Sequence, residues 1–416
     1  MREPDPTSPW RSRTFRLLFS ASTISNLGTN VSVVALPLVA VLTLDASAFE
    51  VSLITAADLV GWLVLGLPMG VWVDRRRRRP FLLATDAIRA AAMASVPIAS
   101  AGGFLTTGQV IGVAALVGFC TVPFDLAYQA LVPVAVPSGA LLRANGALQG
   151  SSSLGQVAGP GLGGLLVQLL SAAGALVVDA VSYVLSFTLV LPIPRDLEPA
   201  VPRPEVRPRL RSDARDGVRY VLRDPILRPI TNSLVVFNST YTAVESIAVV
   251  YLVRVLHVHA GLVGVLFAMQ GIGGLVGAAT GPRVIRRIGD ARTLWVVVLT
   301  GPAWLVLIDV AQPNAGLVTY AFGQLAVGYS VVLFNMAGRT WRHLAVPAHL
   351  FARVLASQRM LTFGTAPLAA AGAGALAGAL GVRATLWVIT GVELLAPAIL
   401  LRSEIPRLRT LPLPAT

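Results

Sequence analysis

Six acidic residues lie deep inside apolar stretches of this chain of 416 residues. They are Asp58, Asp125, Asp179, Glu245, Asp309 and Glu393. An ionised side chain within a bilayer costs about 2.5–3.5 kcal/mol on insertion scales, so an acid placed there is a functional candidate by default. Such a carboxyl either exchanges protons with water in a cavity or serves as a hydrogen-bond partner for a neighbouring helix.

Polar side chains recur with the spacing of a single helix face in four segments, two of which contain one of these acids. The four polar stripes are Ser22, Asn26 and Thr29; Thr121, Asp125 and Tyr128; Asn238, Tyr241 and Glu245; and Gln324 with Asn335. Side chains spaced in this way point in one direction, so the stripes predict polar faces on four helices.

Other kinds of site have little support in the sequence. His257 and His259 alternate in a loop, but two histidines without a nearby acid or cysteine are a weak metal-binding pattern. We find neither a phosphate-binding loop nor a nucleophile–base–acid set, so we expect no enzyme activity and no cofactor. The single cysteine, Cys120, excludes a disulfide framework within the chain.

The composition indicates which elements carry these residues. The chain is 55% hydrophobic and 13% charged, about half the charge of a soluble protein, and its mean hydropathy is +0.73. Apolar runs of about 20 residues cross a bilayer as helices, because backbone groups in lipid must bond within the segment. We predict an all-α integral membrane protein with spans at 15–43, 50–73, 80–101, 107–132, 141–168, 172–192, 228–254, 260–282, 292–311, 315–338, 350–379 and 383–402.

The basic residues fall almost entirely on one side of these twelve spans. The net charge is +13 and every basic residue is arginine, yet only Arg254 and Arg383 lie in loops on the other side, with Arg89 inside the third span. Loops rich in Lys and Arg stay on the cytoplasmic side of a membrane. We therefore expect a plasma-membrane protein whose N- and C-termini both lie in the cytoplasm. The positive charge then faces anionic lipids, and nucleic-acid binding is not expected.

The longest polar break divides the spans into six and six. We predict an N-terminal six-helix bundle over 1–192, a basic cytoplasmic linker over 193–227 and a C-terminal six-helix bundle over 228–416. The layout is typical of a transporter whose bundles are related by pseudo-two-fold symmetry. The N-terminus lacks a signal-peptide cleavage site, so we expect the first span to be retained.

The loop after the second span reads Gly70-Val-Trp-Val-Asp74-Arg75-Arg-Arg-Arg78-Arg79. It resembles the signature G-x-x-x-D-R-x-G-R-R/K of the major facilitator superfamily, with an arginine in place of the internal glycine. The resemblance implies a cytoplasmic gate in which Asp74 faces the N-terminus of span 11 while Arg75 and Arg78 pair with acids. The alternative is that the arginines serve only as a topology anchor.

The fifth span carries a second motif, G-x8-G-x3-G-P-x2-G-G, formed by Gly146, Gly155, Gly159, Pro160, Gly163 and Gly164. It resembles the antiporter signature of major facilitator exporters. Glycines spaced by four residues leave a bare helix face for close packing, and the proline bends the helix. We expect this face to meet the glycine face of span 8, formed by Gly273, Gly277 and Gly281, as a gate between the bundles; ordinary helix packing is the alternative.

Further segments resemble the third drug:proton antiporter family, which includes macrolide and siderophore exporters. They are Ser25-Asn26-Leu27-Gly28, Asp86-x-x-Arg89 and Asp125-Leu-Ala-Tyr128-Gln-Ala-Leu-Val-Pro133. Spans 1, 4, 7 and 10 line the cavity in this family, so the resemblance implies that the polar side chains of the four stripes contact the substrate. Glu245 is then the first candidate for proton coupling, Asp58 the second and Asp125 the third. Many members carry an acid where Thr29 stands, and a span 4 arginine of other drug antiporters is missing.

The resemblance implies a secondary transporter that exports a drug, an antibiotic or a siderophore-like compound by proton antiport and alternating access, with a role in antibiotic resistance. Its expected partners are the lipid bilayer, a small-molecule substrate and protons, and we expect a monomer. An importer or symporter of the same fold, a lipid flippase and a sensor that no longer transports remain alternatives.

Overall fold

The structure is a computed structural model that describes residues 8–194, 210–346 and 348–411. These residues fold into helices without a strand. The first half comprises α1 (Arg13–Leu42), α2 (Ala48–Asp74), α3 (Arg79–Ala101), α4 (Thr107–Ala135), α5 (Leu141–Leu169) and α6 (Ala172–Val190). The second half comprises α7 (Leu210–Arg223), α8 (Leu227–Val250), α9 (Ala260–Ile288), α10 (Asp290–Asp309), α11 (Leu317–Ala345), α12 (Ala348–Gly364), α13 (Ala366–Leu380), α14 (Val382–Glu393) and α15 (Leu395–Leu401).

The prediction of an all-helical membrane protein is confirmed. Eleven helical segments of the described chain are long and apolar enough to cross a bilayer. The remaining predicted span is α5, which has the required length but is rich in glycine, serine and glutamine. The eleventh span consists of α12 and α13 and the twelfth of α14 and α15, with Pro367 and Pro397 just beyond the two breaks.

Two helices extend beyond their predicted ends on the side where most arginines lie, which we call the arginine-rich side. The eighth span was predicted to end at residue 282, but α9 continues to Ile288 and stops before Gly289, whose φ is +93°. The tenth was predicted to end at residue 338, and α11 continues to Ala345. Charged residues end an apolar run without ending a helix.

Part of the predicted linker is also a helix. The α7 helix packs on α12 at Gly217, where an added Cβ would lie 2.5 Å from the carbonyl oxygen of Arg353. One turn further, Val221 is completely buried. The second part of the linker therefore belongs to the C-terminal bundle, whereas residues 195–209 lie outside the described residues.

The hydrophobic core is continuous on one side of the membrane and divided on the other. On the side opposite the arginines, which we call the arginine-poor side, buried residues of both bundles form one cluster that includes Val39, Val167, Leu252 and Val263. On the arginine-rich side, one cluster lies within the N-terminal bundle around Phe15, and a separate one lies within the C-terminal bundle. Among the described residues, the bundles therefore share a core at one end only.

Candidate substrate and proton site

The polar face of α8 reaches α11 through a hydrogen bond between side chains inside the C-terminal bundle. Gln324 of α11 donates a hydrogen bond from its Nε2 to Oε1 of Glu245, at 2.9 Å. The Gln324 side chain is 1% exposed and also contacts the hydroxyl of Tyr320 at 3.2 Å. Glu245 itself is half-buried. The structure thus joins two of the predicted cavity residues by a hydrogen bond between helices.

A third helix reaches the same cluster. Gln270 of α9 donates to the hydroxyl of Tyr241, which lies one turn before Glu245 on α8. The ring of Tyr241 stacks on that of Phe237, with centroids 6.4 Å apart. We call Tyr241, Glu245, Gln270, Tyr320 and Gln324 the C-terminal polar cluster. Tyr320 was not predicted, although its spacing of four from Gln324 was a usable signal. Gln270 was not predicted either, because it lies on a helix not expected to line the cavity.

The polar side chains of the N-terminal bundle form a second group. Thr29 of α1 hydrogen-bonds the hydroxyl of Tyr183 on α6 at 3.0 Å. Tyr183 also interacts electrostatically with Asp58, whose side chain is exposed. Asp125 is half-buried one helical turn before Tyr128, whose ring stacks on Phe124 at 6.1 Å. These acids therefore remain open to solvent to different degrees.

A buried arginine lies within this second group, although the sequence analysis did not count Arg89 among the cavity residues. Arg89 is 2% exposed and forms an ion pair of 2.6 Å with Asp86, which also accepts a hydrogen bond from Ser186. The guanidinium lies 4.1 Å from the ring centroid of Phe124 and 4.4 Å from that of Tyr183. Cation–π contacts with these two rings stabilise the charge where water is excluded.

Three residues predicted to line the cavity form hydrogen bonds within their own helices. Asn335 donates to the carbonyl of Val331 and Thr121 to that of Val117, both within their own helices. Asn26 donates to the hydroxyl of Ser22, again one turn away. The structure therefore brings together Gln324 and Glu245, but it does not bring together Gln324 and Asn335.

Asn238, another predicted cavity residue, takes part in a contact between helices. Its amide donates to the carbonyl of Thr362 in α12 at 3.0 Å. The next residue, Ser239, shares a hydrogen bond of 2.8 Å with Thr365 at the break between α12 and α13. This part of α8 therefore fixes the broken eleventh span.

Three acids outside the two groups hold helices together. Asp179 of α6 accepts a hydrogen bond from Ser32 of α1, and Glu393 of α14 accepts one from Thr240 of α8. Each pair joins the sixth span of a bundle to its first span, so the two bundles repeat this contact. Asp309 accepts from Thr390 at 2.7 Å. Among the described residues, no group of three His, Cys, Asp or Glu side chains could hold a metal ion.

The glycine motif of α5 packs differently from our expectation. Gly155 and Gly159 lie against Asn30 of α1, and an added Cβ on Gly163 would lie 2.8 Å from the carbonyl oxygen of Val31. This face therefore packs within the N-terminal bundle, because α1 is the nearest helix on that side. Gly146 has open space around it.

The predicted glycine face of α9 is likewise directed away from α5. Gly273 and Gly277 lie against Leu325 and Tyr329 of α11, and Gly281 lies against Met336 of the same helix. The expectation that the two glycine faces meet is wrong.

The α5 and α9 helices nevertheless meet through other glycines. An added Cβ on Gly164 would lie 2.5 Å from the carbonyl oxygen of Ala260 and 2.8 Å from the Cα of Gly264. Further along, one on Gly271 would lie 2.8 Å from the carbonyl oxygen of Gln156. These backbone contacts between bundles lie towards the arginine-poor side.

An ion pair also joins the bundles on the arginine-poor side. Nη2 of Arg254, at the end of the seventh span, lies 2.6 Å from Oδ1 of Asp45, in the loop between α1 and α2. Asp45 adopts a φ of +47°, a conformation that aspartate tolerates better than most residues. The pair therefore bridges the two bundles at this end.

The sequence of the chain matches that of a known protein family. The family model described as Major Facilitator Superfamily matches residues 18–337, which is most of the chain. The chain belongs to this superfamily. It is therefore a multi-pass membrane transporter.

Curated relatives cover nearly the whole chain. It is 27% identical over 409 residues to the multidrug efflux pump Tap of Mycolicibacterium fortuitum, covering 95% of this chain and 96% of that protein. It is 28% identical over 390 residues to the multidrug efflux pump Tap of Mycobacterium tuberculosis strain CDC 1551, covering 90% and 89%.

Solved major facilitator structures share the fold. The nucleoside transporter NupG superposes with a TM-score of 0.74 at 11% identity, over 93% of this chain and 98% of NupG. A bacterial homologue of the iron transporter ferroportin in an inward-facing state gives 0.70 at 16% identity, over 94% and 98%. A bacterial homologue of the lysosomal transporter Spinster, inward-facing and unoccupied, gives 0.70 at 14% identity, over 99% and 100%.

The structure describes only some of the side chains of the superfamily's loop signature. Gly70 has open space around it, and Arg75 is exposed. Arg78 is half-buried, and Arg79 donates from Nη2 to the carbonyl of Leu191 at the end of α6. The side chain of Asp74 lies outside the described residues, so its expected contact with the eleventh span stays a prediction.

Proposed function

We propose that this major facilitator transporter exports a small organic compound, such as a drug, an antibiotic or a siderophore-like molecule, in exchange for protons. The observation that carries the proposal is the one-sided core. The bundles share buried residues on the arginine-poor side and have separate cores on the arginine-rich side. Two relatives that cover most of the chain are described as multidrug efflux pumps, which supports the direction of transport.

The arginine-rich side is assigned to the cytoplasm of a plasma-membrane protein. Arginines near the ends of spans stay cytoplasmic during insertion, which places both termini inside. The opening between the bundles then faces the cytoplasm. An exporter in this state binds its substrate from the cytoplasm.

Transport follows from a rocking of the two bundles. Closing the arginine-rich end requires the arginine-poor end to open, which separates Asp45 from Arg254 and α5 from α9. Both contacts suit repeated opening, because an exposed ion pair is worth only about 0.2–1 kcal/mol and α5 and α9 meet at single glycines, such as Gly164 and Gly264, without interlocking side chains.

Glu245 is the proposed site of proton binding. Among the described residues, its hydrogen-bond partners are the neutral side chains of Gln324 and Tyr241, and no cation among them fixes the carboxyl in its ionised form. The carboxyl is half-buried, so water reaches it when the cavity opens. Asp58 and Asp125 are secondary proton sites, since both are accessible and lie in the other bundle.

Transport by everted membrane vesicles tests this function. The vesicles expose the cytoplasmic side and acidify their lumen when ATP is added, and a macrolide, ethidium and a siderophore serve as probes. At least one probe should accumulate in the lumen, and a protonophore should abolish the accumulation. Probe uptake confined to right-side-out vesicles would identify an importer. Failure of a wide compound panel in both preparations would contradict transport.

A further inference from the structure

The surface of the N-terminal bundle that faces the membrane carries a groove between α3 and α6. Its volume is about 560 Å³, and its lining consists of Arg77, Arg79, Pro80, Leu83, Ala84, Ala87 and Phe187. None of the lining residues that the structure describes is acidic. The groove lies outside the proposed transport cavity, and the transport mechanism makes no use of it.

The groove lies on the outer face of the bundle. On α3, the buried polar residues Thr85, Asp86 and Arg89 face the interior, whereas Ala84 and Ala87 are exposed. On the same outer face, Ile88 is 42% exposed. An apolar surface of this kind on a spanning helix is covered by lipid. The two small alanine side chains leave the depression that the groove occupies.

The two ends of the groove differ in charge. Arg77 is exposed beside the first turn of α3, and Arg79 is tied to the C-terminal end of α6 by its bond to the carbonyl of Leu191. The apolar part then runs along α3 for about 10 Å, from Pro80 to Ala87. The positive end lies at the depth of the headgroups on the arginine-rich side, and the apolar end lies among the acyl chains.

We propose that this groove binds an anionic phospholipid of the leaflet on the arginine-rich side. The phosphate lies against Arg77 and Arg79, and one acyl chain lies along Leu83, Ala84, Ala87 and Phe187. Basic pockets between spanning helices favour anionic headgroups, and each arginine near the surface contributes about fivefold in affinity. A phosphatidylcholine lipid, whose headgroup carries a compensating positive charge, fits the apolar part but gains less from the arginines.

Native mass spectrometry of the purified full-length protein tests the proposal. The protein is equilibrated with phosphatidylglycerol and phosphatidylcholine of identical acyl chains, and the lipid-bound species are counted. Wild type should retain phosphatidylglycerol about fivefold or more over phosphatidylcholine. Arg77→Gln should reduce this preference about fivefold. Arg76→Gln is the matched control, because that exposed arginine stacks 5.2 Å from the ring centroid of Trp72 and does not line the groove.

A second variant separates the groove from a diffuse positive surface. Ala84→Leu/Ala87→Leu fills the groove without removing charge, and both positions are exposed, so the bundle core is undisturbed. It should lose retention of both lipids while its melting temperature stays unchanged. The proposal is overturned by equal retention of the two lipids, by an equal effect of Arg76→Gln, or by full retention in the filled variant. Displacement of the lipid by millimolar inorganic phosphate, or occupation by a second copy of the chain, would also overturn it.

Discussion

The amide of Gln324 donates a 2.9 Å hydrogen bond to the carboxyl of Glu245 and thereby links α11 to α8. Tyr320 and Tyr241 complete the surroundings with hydroxyl groups. A carboxyl that has only neutral partners accepts a proton without breaking an ion pair, which is the property that a reversible proton carrier requires.

Glu245→Gln should abolish proton-driven transport, since the amide keeps the shape of the side chain but cannot exchange a proton. We expect uphill accumulation of the exported probe in everted vesicles to fall by about 100-fold or more, with protein abundance unchanged. Glu404→Gln is the control, because this exposed carboxyl lies near the C-terminus and away from the polar cluster. Accumulation at the wild-type level in Glu245→Gln would contradict this role for Glu245 and would indicate that Asp58 or Asp125 binds the proton.

Gly164→Leu should block transport without unfolding the protein. The side chain cannot fit against Ala260 and Gly264, so the bundles would be forced apart on the arginine-poor side. Gly161→Leu, on the same helix but with open space around it, should transport normally. The measurements are vesicle transport and melting temperature.

Gly159→Leu should behave differently from Gly164→Leu. Its side chain would clash with Asn30 inside the N-terminal bundle, so we expect the free energy of unfolding to fall by about 1–3 kcal/mol. Normal transport by Gly164→Leu would contradict the proposed closure between α5 and α9.

Breaking the ion pair between Asp45 and Arg254 should favour opening on the arginine-poor side. An exposed pair is worth about 0.2–1 kcal/mol, so the population of the alternative state should change by about fivefold at most. Spin labels at Phe104→Cys and Val310→Cys, with Cys120→Ser, report the separation of the bundles there.

The two single variants of this pair provide a check on each other. Asp45→Asn and Arg254→Gln should have equal effects on the distance distribution, and the double variant should add nothing further. Additive effects would show that the two side chains act independently.

Glu393 should prove structural. Its carboxyl is completely buried and accepts from Thr240, so Glu393→Gln should keep both transport and stability. Glu393→Ala leaves a cavity and removes the contact between α14 and Thr240 of α8, and we expect a loss of about 2 kcal/mol in the free energy of unfolding. Loss of transport in a stable Glu393→Gln protein would instead make Glu393 a second proton site.

The fold was largely predictable because length and hydropathy determine spans so strongly in a membrane protein. Even α5, whose glycines make it less apolar than the other spans, was found between its flanking loops. The ends were less predictable: α9 runs on through Arg286 and Arg287, because a helix protruding into water needs no apolar side chains.

Only the polar faces of single helices at the candidate site could be predicted from the sequence. Spacing placed Tyr241 and Glu245 on one face of α8, but it carried no information on which helix would lie opposite. Hence Gln270 was missed, and the partners of the two glycine faces were assigned wrongly. A bare glycine face fits any helix that comes near it, so its partner is decided by the packing of the whole bundle.

Proton release from everted vesicles tests the central claim most directly. The lumen is acidified by ATP hydrolysis and its pH is followed with a fluorescent acridine dye, and then the exported probe is added to the medium. Wild-type vesicles should lose part of the pH gradient as lumenal protons leave in exchange for the probe, and Glu245→Gln vesicles should show no change. Accumulation of the probe without proton release, or a wild-type response from Glu245→Gln, would contradict proton-coupled export through Glu245.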